Sequence, residues 1–183
     1  MTRHFILWLA TCLLAAALAF AAQVAVAAQP SMGLTELPGQ AGPGGEEPVT
    51  VFYPTAAPAQ PIKRGVFTFD LAWQAVPTRG NGRLIVVSHG SGGAPWVHVD
   101  LARVLVNAGY VVAVPVHRAD NNQDMADAGP ESWKRRPAEV SRAIDALAQS
   151  AQFAPLLVLD RVGVYGGSAG GHTALSLAGG RWS

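Results

Sequence analysis

Ser168 stands in the run Gly166-Gly167-Ser168-Ala169-Gly170, which fits the pattern G-x-S-x-G. The pattern alone is weak, and its place in the chain makes it informative. It follows the apolar run Val162-Gly163-Val164-Tyr165 and opens the small-residue stretch from Ala169 to Ala178. A strand–turn–helix of this kind lifts a serine hydroxyl above a sheet in a sharp, strained turn. The residues two before and two after the serine then approach each other's backbone. Gly166 and Gly170 leave out the Cβ atoms that would collide there, and Gly171 extends the open space. The new helix also points free N–H groups and the positive end of its dipole at the hydroxyl. A Gly-rich phosphate cradle is the bland alternative, but the dinucleotide pattern G-x-G-x-x-G is absent here and at residues 88–93.

Acyl transfer to such a serine creates an oxyanion, which preorganised N–H donors must meet. One donor is expected from the backbone of Ala169, the residue after the nucleophile. The other is expected from the loop Ser88-His89-Gly90-Ser91-Gly92-Gly93, through the Ser91 amide, with Gly90 among the glycines that let the main chain turn its amides inward. The bases are harder to find. With a strand–turn–helix nucleophile the acid and then the histidine follow the serine along the chain. His89, His98 and His117 precede Ser168, and His172 follows it by a single helical turn. Asp120, Asp124 and Asp160 fail the same test. His89 is therefore read as shaping its loop and, with His117, as pocket wall. The base and acid are expected outside these 183 residues.

The elements around these loops are legible in outline. Val49–Tyr53 is a short strand between prolines. Gly65–Leu71 is an edge or half-exposed strand, and Arg83–Ser88 and Tyr110–Val116 are strands buried on both faces. Val97, Leu101, Val104, Leu105 and Ala108 make one apolar helical stripe. Residues 117–136 read as a polar loop. Pro137 is placed in the first turn of the next helix, whose stripe is Val140, Ala143, Ile144 and Leu147. Strand–helix alternation predicts a mostly parallel sheet covered on both faces, with ligands at the strands' carboxyl ends. Residues 88–96, 117–122 and 166–170 should then share one mouth.

Composition narrows the function classes. Only 14% of the residues are charged. Arg3 is the one charged side chain of the first 28 apart from a possible His4, and the remaining 155 residues carry 12 basic against 12 acidic groups. That balance argues against a general nucleic-acid binder, which needs a basic surface to displace counterions. The single cysteine, Cys12, lies in the leader, so the rest of the chain has no disulfide, thiolate metal site or cysteine nucleophile. No metal or cofactor is expected.

Residues 1–28 have a positive start, an apolar run from Phe5 to Ala22, and small residues at A-x-A spacing before Gln29. They read as a signal peptide cleaved after Ala27 or Ala28, giving an exported, periplasmic or extracellular protein without a stable membrane partner. The competing reading is a membrane anchor over residues 5–22, and Met32 is an alternative start that would leave the protein cytoplasmic. Residues 29–47 form an extended segment leading into the domain of residues 48–183.

His89-Gly90-Ser91-Gly92-Gly93 together with Gly166-Gly167-Ser168-Ala169-Gly170-Gly171-His172 resembles the α/β-hydrolase superfamily. Within it, the chain looks like the predicted dienelactone hydrolases, close to the platelet-activating-factor acetylhydrolase-like branch. Val49-Thr50-Val51-Phe52-Tyr53-Pro54, Arg136-Pro137-Ala138-Glu139-Val140 and Asp160-Arg161-Val162-Gly163-Val164 add to the likeness. The resemblance implies an α/β-hydrolase fold that breaks off just past the nucleophile helix, since the family places its acid and base after later strands. It implies a serine hydrolase acting on a small-molecule carboxylic ester. Dienelactone hydrolase proper uses a cysteine where this chain has Ser168, so an ester is the expected substrate rather than a dienelactone. A lipase, polyester hydrolase or peptidase would carry the same motifs. An inactive chain of the same fold is the rival, and residues 29–183 alone are expected to be inactive and poorly soluble.

Overall fold

The computed structural model describes residues 31–38 and 48–181. The leader expected at residues 1–28 lies outside the described residues. Seven strands form one sheet: β1 (Ser31–Leu37), β2 (Val49–Thr55), β3 (Gln60–Arg64), β4 (Phe67–Trp73), β5 (Leu84–Ser88), β6 (Val111–Pro115) and β7 (Val162–Gly166). Their order across the sheet is β3-β4-β1-β2-β6-β5-β7. The half that carries the chemistry, β6-β5-β7, is parallel, with Val86 opposite Ala113 on one side and Val164 on the other. The other half is mixed, because β2 runs antiparallel to both β1 and β6.

Alternation along the central strands divides the core into two layers. Val111 and Ala113 face one side with Val49, Val51, Leu84 and Val86, under helix α2 (Pro130–Gln149) and its Val140, Ala143 and Leu147. Val112 and Val114 face the other side with Met32, Leu34, Phe52 and Val87, under helix α1 (Val99–Asn107) and its Val99, Ala102 and Val106. Helix α3 (Ala169–Leu177) follows β7. Each fully buried aliphatic side chain in these layers is worth about 1.5–3 kcal/mol of transfer free energy. Helices on both faces of the sheet match the expected architecture.

Four local readings need correction. β1 lies inside the stretch read as an extended lead-in, and it pairs along its whole length with β2. β3 is a strand that its own sequence does not announce; it hydrogen-bonds to β4 and takes the edge position from it. α1 buries a different stripe from the one expected: Val97 and Val104 are 65% and 67% exposed, whereas Ala102 and Val106 are sealed. A short 3-10 turn over Pro95–His98 resets the phase ahead of the helix. The helix expected at Pro137 begins at Pro130, so Pro137 is interior. Its buried face includes the polar residues Ser132, Arg136 and Glu139, which hide the apolar period of the first two turns.

Candidate active site

Ser168 occupies the junction of β7 and α3 with φ 54° and ψ −123°, a backbone conformation that costs an L-residue about 1–3 kcal/mol. Its side chain is exposed. The turn closes because Gly166, Gly170 and the carboxyl end of β5 touch backbone to backbone. A Cβ on Gly166 would strike the Gly170 carbonyl, and one on Gly170 would strike the Ser88 carbonyl. Gly171 is less constrained, since a Cβ there would sit 3.4 Å from the Gly166 oxygen. The Gly170 N–H donates to the Gly167 carbonyl, and the Gly171 and His172 N–H groups donate to the Ser168 carbonyl. Ala169, buried behind the serine, brings the first N–H of α3.

The loop after β5 lies against this turn, as the common mouth requires. A Cβ on Gly90 would be 3.4 Å from the Ser168 Cβ. The Gly93 N–H donates back to the Gly90 carbonyl, and the Asn122 N–H donates to the Gly93 carbonyl. Among the described hydrogen bonds, the neighbouring amides of Gly92 and Gly170 have acceptors and those of Ser91 and Ala169 do not. These are the two amides expected to meet an oxyanion.

Beneath the loop lies a polar network anchored away from water. Arg136 and Asp120 are both fully buried and pair at 2.8 Å. Arg136 also donates to the His89 carbonyl and, at 3.3 Å, to the Ser132 hydroxyl. Asp120 accepts from the Ser132 hydroxyl at 2.8 Å, from the Ser91 hydroxyl at 3.2 Å and from the Gly92 N–H at 3.2 Å. Burial alone would raise the Asp120 pKa. The Ser132 hydroxyl, the Arg136 charge and the Gly92 amide outweigh it and leave the pKa below the usual carboxylate value.

His89 and His117 do not form a pocket wall; both are fully buried. The His117 backbone N–H donates to His89 Nε2 at 3.4 Å, so His89 carries its proton on Nδ1 and donates it to the Gly90 carbonyl at 2.8 Å. His117 joins Ser88 Oγ at 2.7 Å to Glu139 Oε2 at 2.6 Å. Ser88–His117–Glu139 thus has the connectivity of a hydrolytic triad, but Ser88 is sealed under Gly170 and no carbonyl can reach it. It serves as a structural clasp between β5, the segment after β6 and α2. His172 instead packs its ring 5.8 Å from that of Trp133.

Burial, then the neighbouring His117, pushes the His89 pKa down to about 3. Burial and Arg136 likewise hold His117 well below its usual value. An unfolded chain would protonate both near 6.5, so between about 3 and 6.5 it binds more protons than the folded one. Stability should therefore fall as pH drops through about 6.5, by up to about 1.4 kcal/mol per pH unit for His89, with His117 acting in the same direction. Glu139, whose pKa burial raises, acts in the opposite direction above its ordinary 4.5, one carboxyl against two imidazoles. Urea titrations should give a lower midpoint at about pH 5 than at about pH 7. Equal midpoints would mean that these rings are not held neutral.

Sequence reasoning missed Asp120, Arg136 and Glu139 as parts of the site. The available signal was Ser132, Arg136 and Glu139 at i, i+4 and i+7, a polar stripe continuous with the apolar one. A cleft of about 410 Å³ also opens along Pro95, Trp96 and residues 121–124, but Ser168 does not line it. Among the described residues no group of three His, Cys, Asp or Glu side chains could hold a metal, and no helix is long and apolar enough to cross a membrane.

Comparison with solved structures places the architecture. A ferulic acid esterase from Streptomyces cinnamoneus superposes with a TM-score of 0.65 at 20% identity, over 83% of this chain and 56% of its own. An acylaminoacyl peptidase from Pyrococcus horikoshii gives 0.51 at 14% identity, over 79% of this chain and 20% of its own. A prolyl endopeptidase gives 0.52 at 18% identity, over 80% and 19%. The chain thus spans about half the length of the first and a fifth of the others, and at such identities the likeness establishes the α/β-hydrolase fold alone. No curated protein matches the sequence. The dienelactone hydrolase family model matches residues 72–181, which contain the loop after β5, its buried network and the whole Ser168 turn, and the chain belongs to that family.

Proposed function

We propose that the protein is a serine hydrolase that cleaves a carboxylic ester through an acyl-enzyme on Ser168. The strained, exposed Ser168 turn with the Gly90 loop packed against it carries this reading. Ser168 Oγ attacks the carbonyl carbon and loses its proton to a histidine; the Ser91 and Ala169 amides hold the resulting oxyanion. Collapse expels the alcohol, which takes the proton. Water, deprotonated by the same histidine, then attacks the acyl-enzyme, and the proton passes to Ser168 Oγ as the acid is released. In this reading the histidine and its carboxylate partner are supplied from outside these 183 residues, as the order serine, acid, histidine along the chain requires. No metal or cofactor enters these steps. A ferulic acid esterase among the structural neighbours fits an ester better than an amide, although two peptidases share the fold.

A fluorophosphonate probe tests the reading: the full-length protein should carry one adduct, on the peptide containing Ser168. An adduct on another serine would overturn it. Ser168-dependent turnover of p-nitrophenyl acetate by residues 29–183 alone would show instead that the base lies within them. The leader supports export, and N-terminal sequencing of exported protein should begin near Ala28 or Gln29; an intact Met1 on membrane-bound material would favour the anchor.

A further inference from the structure

Arg136 is the largest fully buried side chain described, and nothing about core packing calls for a guanidinium there. Taking two charges out of water costs several kcal/mol per ion, and an apolar pair of equal volume is often as stable. What the pair does with its remaining hydrogen-bonding capacity is the informative part. One arm of Arg136 holds the carbonyl of His89. Asp120, clamped from behind by Arg136 and Ser132, turns its free lone pairs to the Ser91 hydroxyl and the Gly92 N–H. Three stations of the loop, at 89, 91 and 92, are therefore pinned to one buried ion pair. The Ser91 amide lies between them.

The loop needs such a brace. Gly90, Gly92 and Gly93 give it backbone freedom that other residues would remove, and Gly92 sits at φ +67°. An amide that must be oriented at the moment of reaction stabilises an oxyanion poorly; one held in place beforehand costs no reorganisation. We propose that Asp120, anchored by Arg136, is the positioning residue of the oxyanion loop and sets the direction of the Ser91 N–H before substrate arrives. This rests on the reading of Ser168 as nucleophile and of the Ser91 amide as oxyanion donor. A group that acts on the oxyanion more than on the planar carbonyl changes kcat and leaves KM nearly alone.

Ser91→Ala in the full-length protein is the discriminating variant. It keeps the backbone amide, alters an exposed side chain and cuts one tether to Asp120. With p-nitrophenyl acetate, kcat per titrated active site should fall about 5- to 30-fold with KM within about twofold, since removing an oxyanion donor outright costs on the order of 10²–10³. Affinity for phenylboronic acid, whose tetrahedral adduct presents an oxygen to the same donors, should fall by a similar factor. Asp120→Asn should cost on the order of 10²-fold, and adding Ser91→Ala to it should cost little more, because the tether is already cut. Should Asp120→Asn fail to fold, Ser91→Ala decides alone. Unchanged kcat and boronate affinity in Ser91→Ala, with Ser168→Ala inactive, would overturn the brace and leave the nucleophile standing. Full activity in Ser168→Ala would overturn the underlying reading instead.

Discussion

Replacing Ser168 by alanine should reduce ester hydrolysis by the full-length protein at least about 10³-fold. The substitution removes one oxygen from an exposed turn, so the fold should survive it. The alanine would still have to adopt φ 54°, as the serine does, and would gain nothing by being smaller. Stability should therefore change little while kcat collapses and KM moves modestly. The residual rate would come from the two amides, which still polarise a bound carbonyl. Circular dichroism and a kcat measurement on the same preparation check both halves. A folded Ser168→Ala variant that keeps its turnover would place the nucleophile elsewhere.

The largest effect on stability should come from Gly170→Ala. The new Cβ would lie within 2.7 Å of the Ser88 carbonyl carbon and 3.0 Å of the His89 oxygen, besides overlapping the Ser88 oxygen itself. All three are backbone atoms of the interior strand β5 or the residue after it, and they cannot rotate away. β5 is hydrogen-bonded on both sides, so relief would mean parting it from β7. We expect a loss of about 3 kcal/mol or more, set against a total of about 5–15 for a typical domain. Gly167→Ala is the matched control, because a Cβ there meets nothing within 4 Å. Urea unfolding should separate the two variants clearly; similar midpoints would mean that the turn is looser than the structure shows.

How far the sequence could be read follows from which signals were local. The Ser168 turn was legible because Gly166 and Gly170, on either side of the serine, answer to each other's backbone. Strands β5 and β6 were legible because strands buried on both faces are continuous apolar runs. The first half of the sheet was not. β1 and β3 include glycine, proline and polar residues, and their pairing partners, not their own patterns, make them strands. The start of α2 was hidden by its own function. Ser132, Arg136 and Glu139 face inward to serve the loop and the His117 clasp, so an apolar periodicity begins only at Val140. The candidate site was half legible for the same reason. Ser168, Ser91 and Ala169 are marked by local glycines, whereas Asp120 gains its role from a helix that starts only at Pro130.

The strand order also dictates a sequence of events during folding. β1 with β2 and β3 with β4 are hairpins that close short loops, and they can form as soon as they are made. β7 has no such partner: it pairs with β5, so that Leu84 must find Val162 after a helix, a second strand and a longer helix have been laid down between them. Closing that loop costs chain entropy that no neighbouring contact repays in advance. The strand that leads into the Ser168 turn should therefore join late, with low φ-values at Val162 and Val164 and high ones at Val51 and Val86. As the chain emerges, the mouth's floor would assemble first, and Ser168 would arrive above an Asp120–Arg136 ion pair already set.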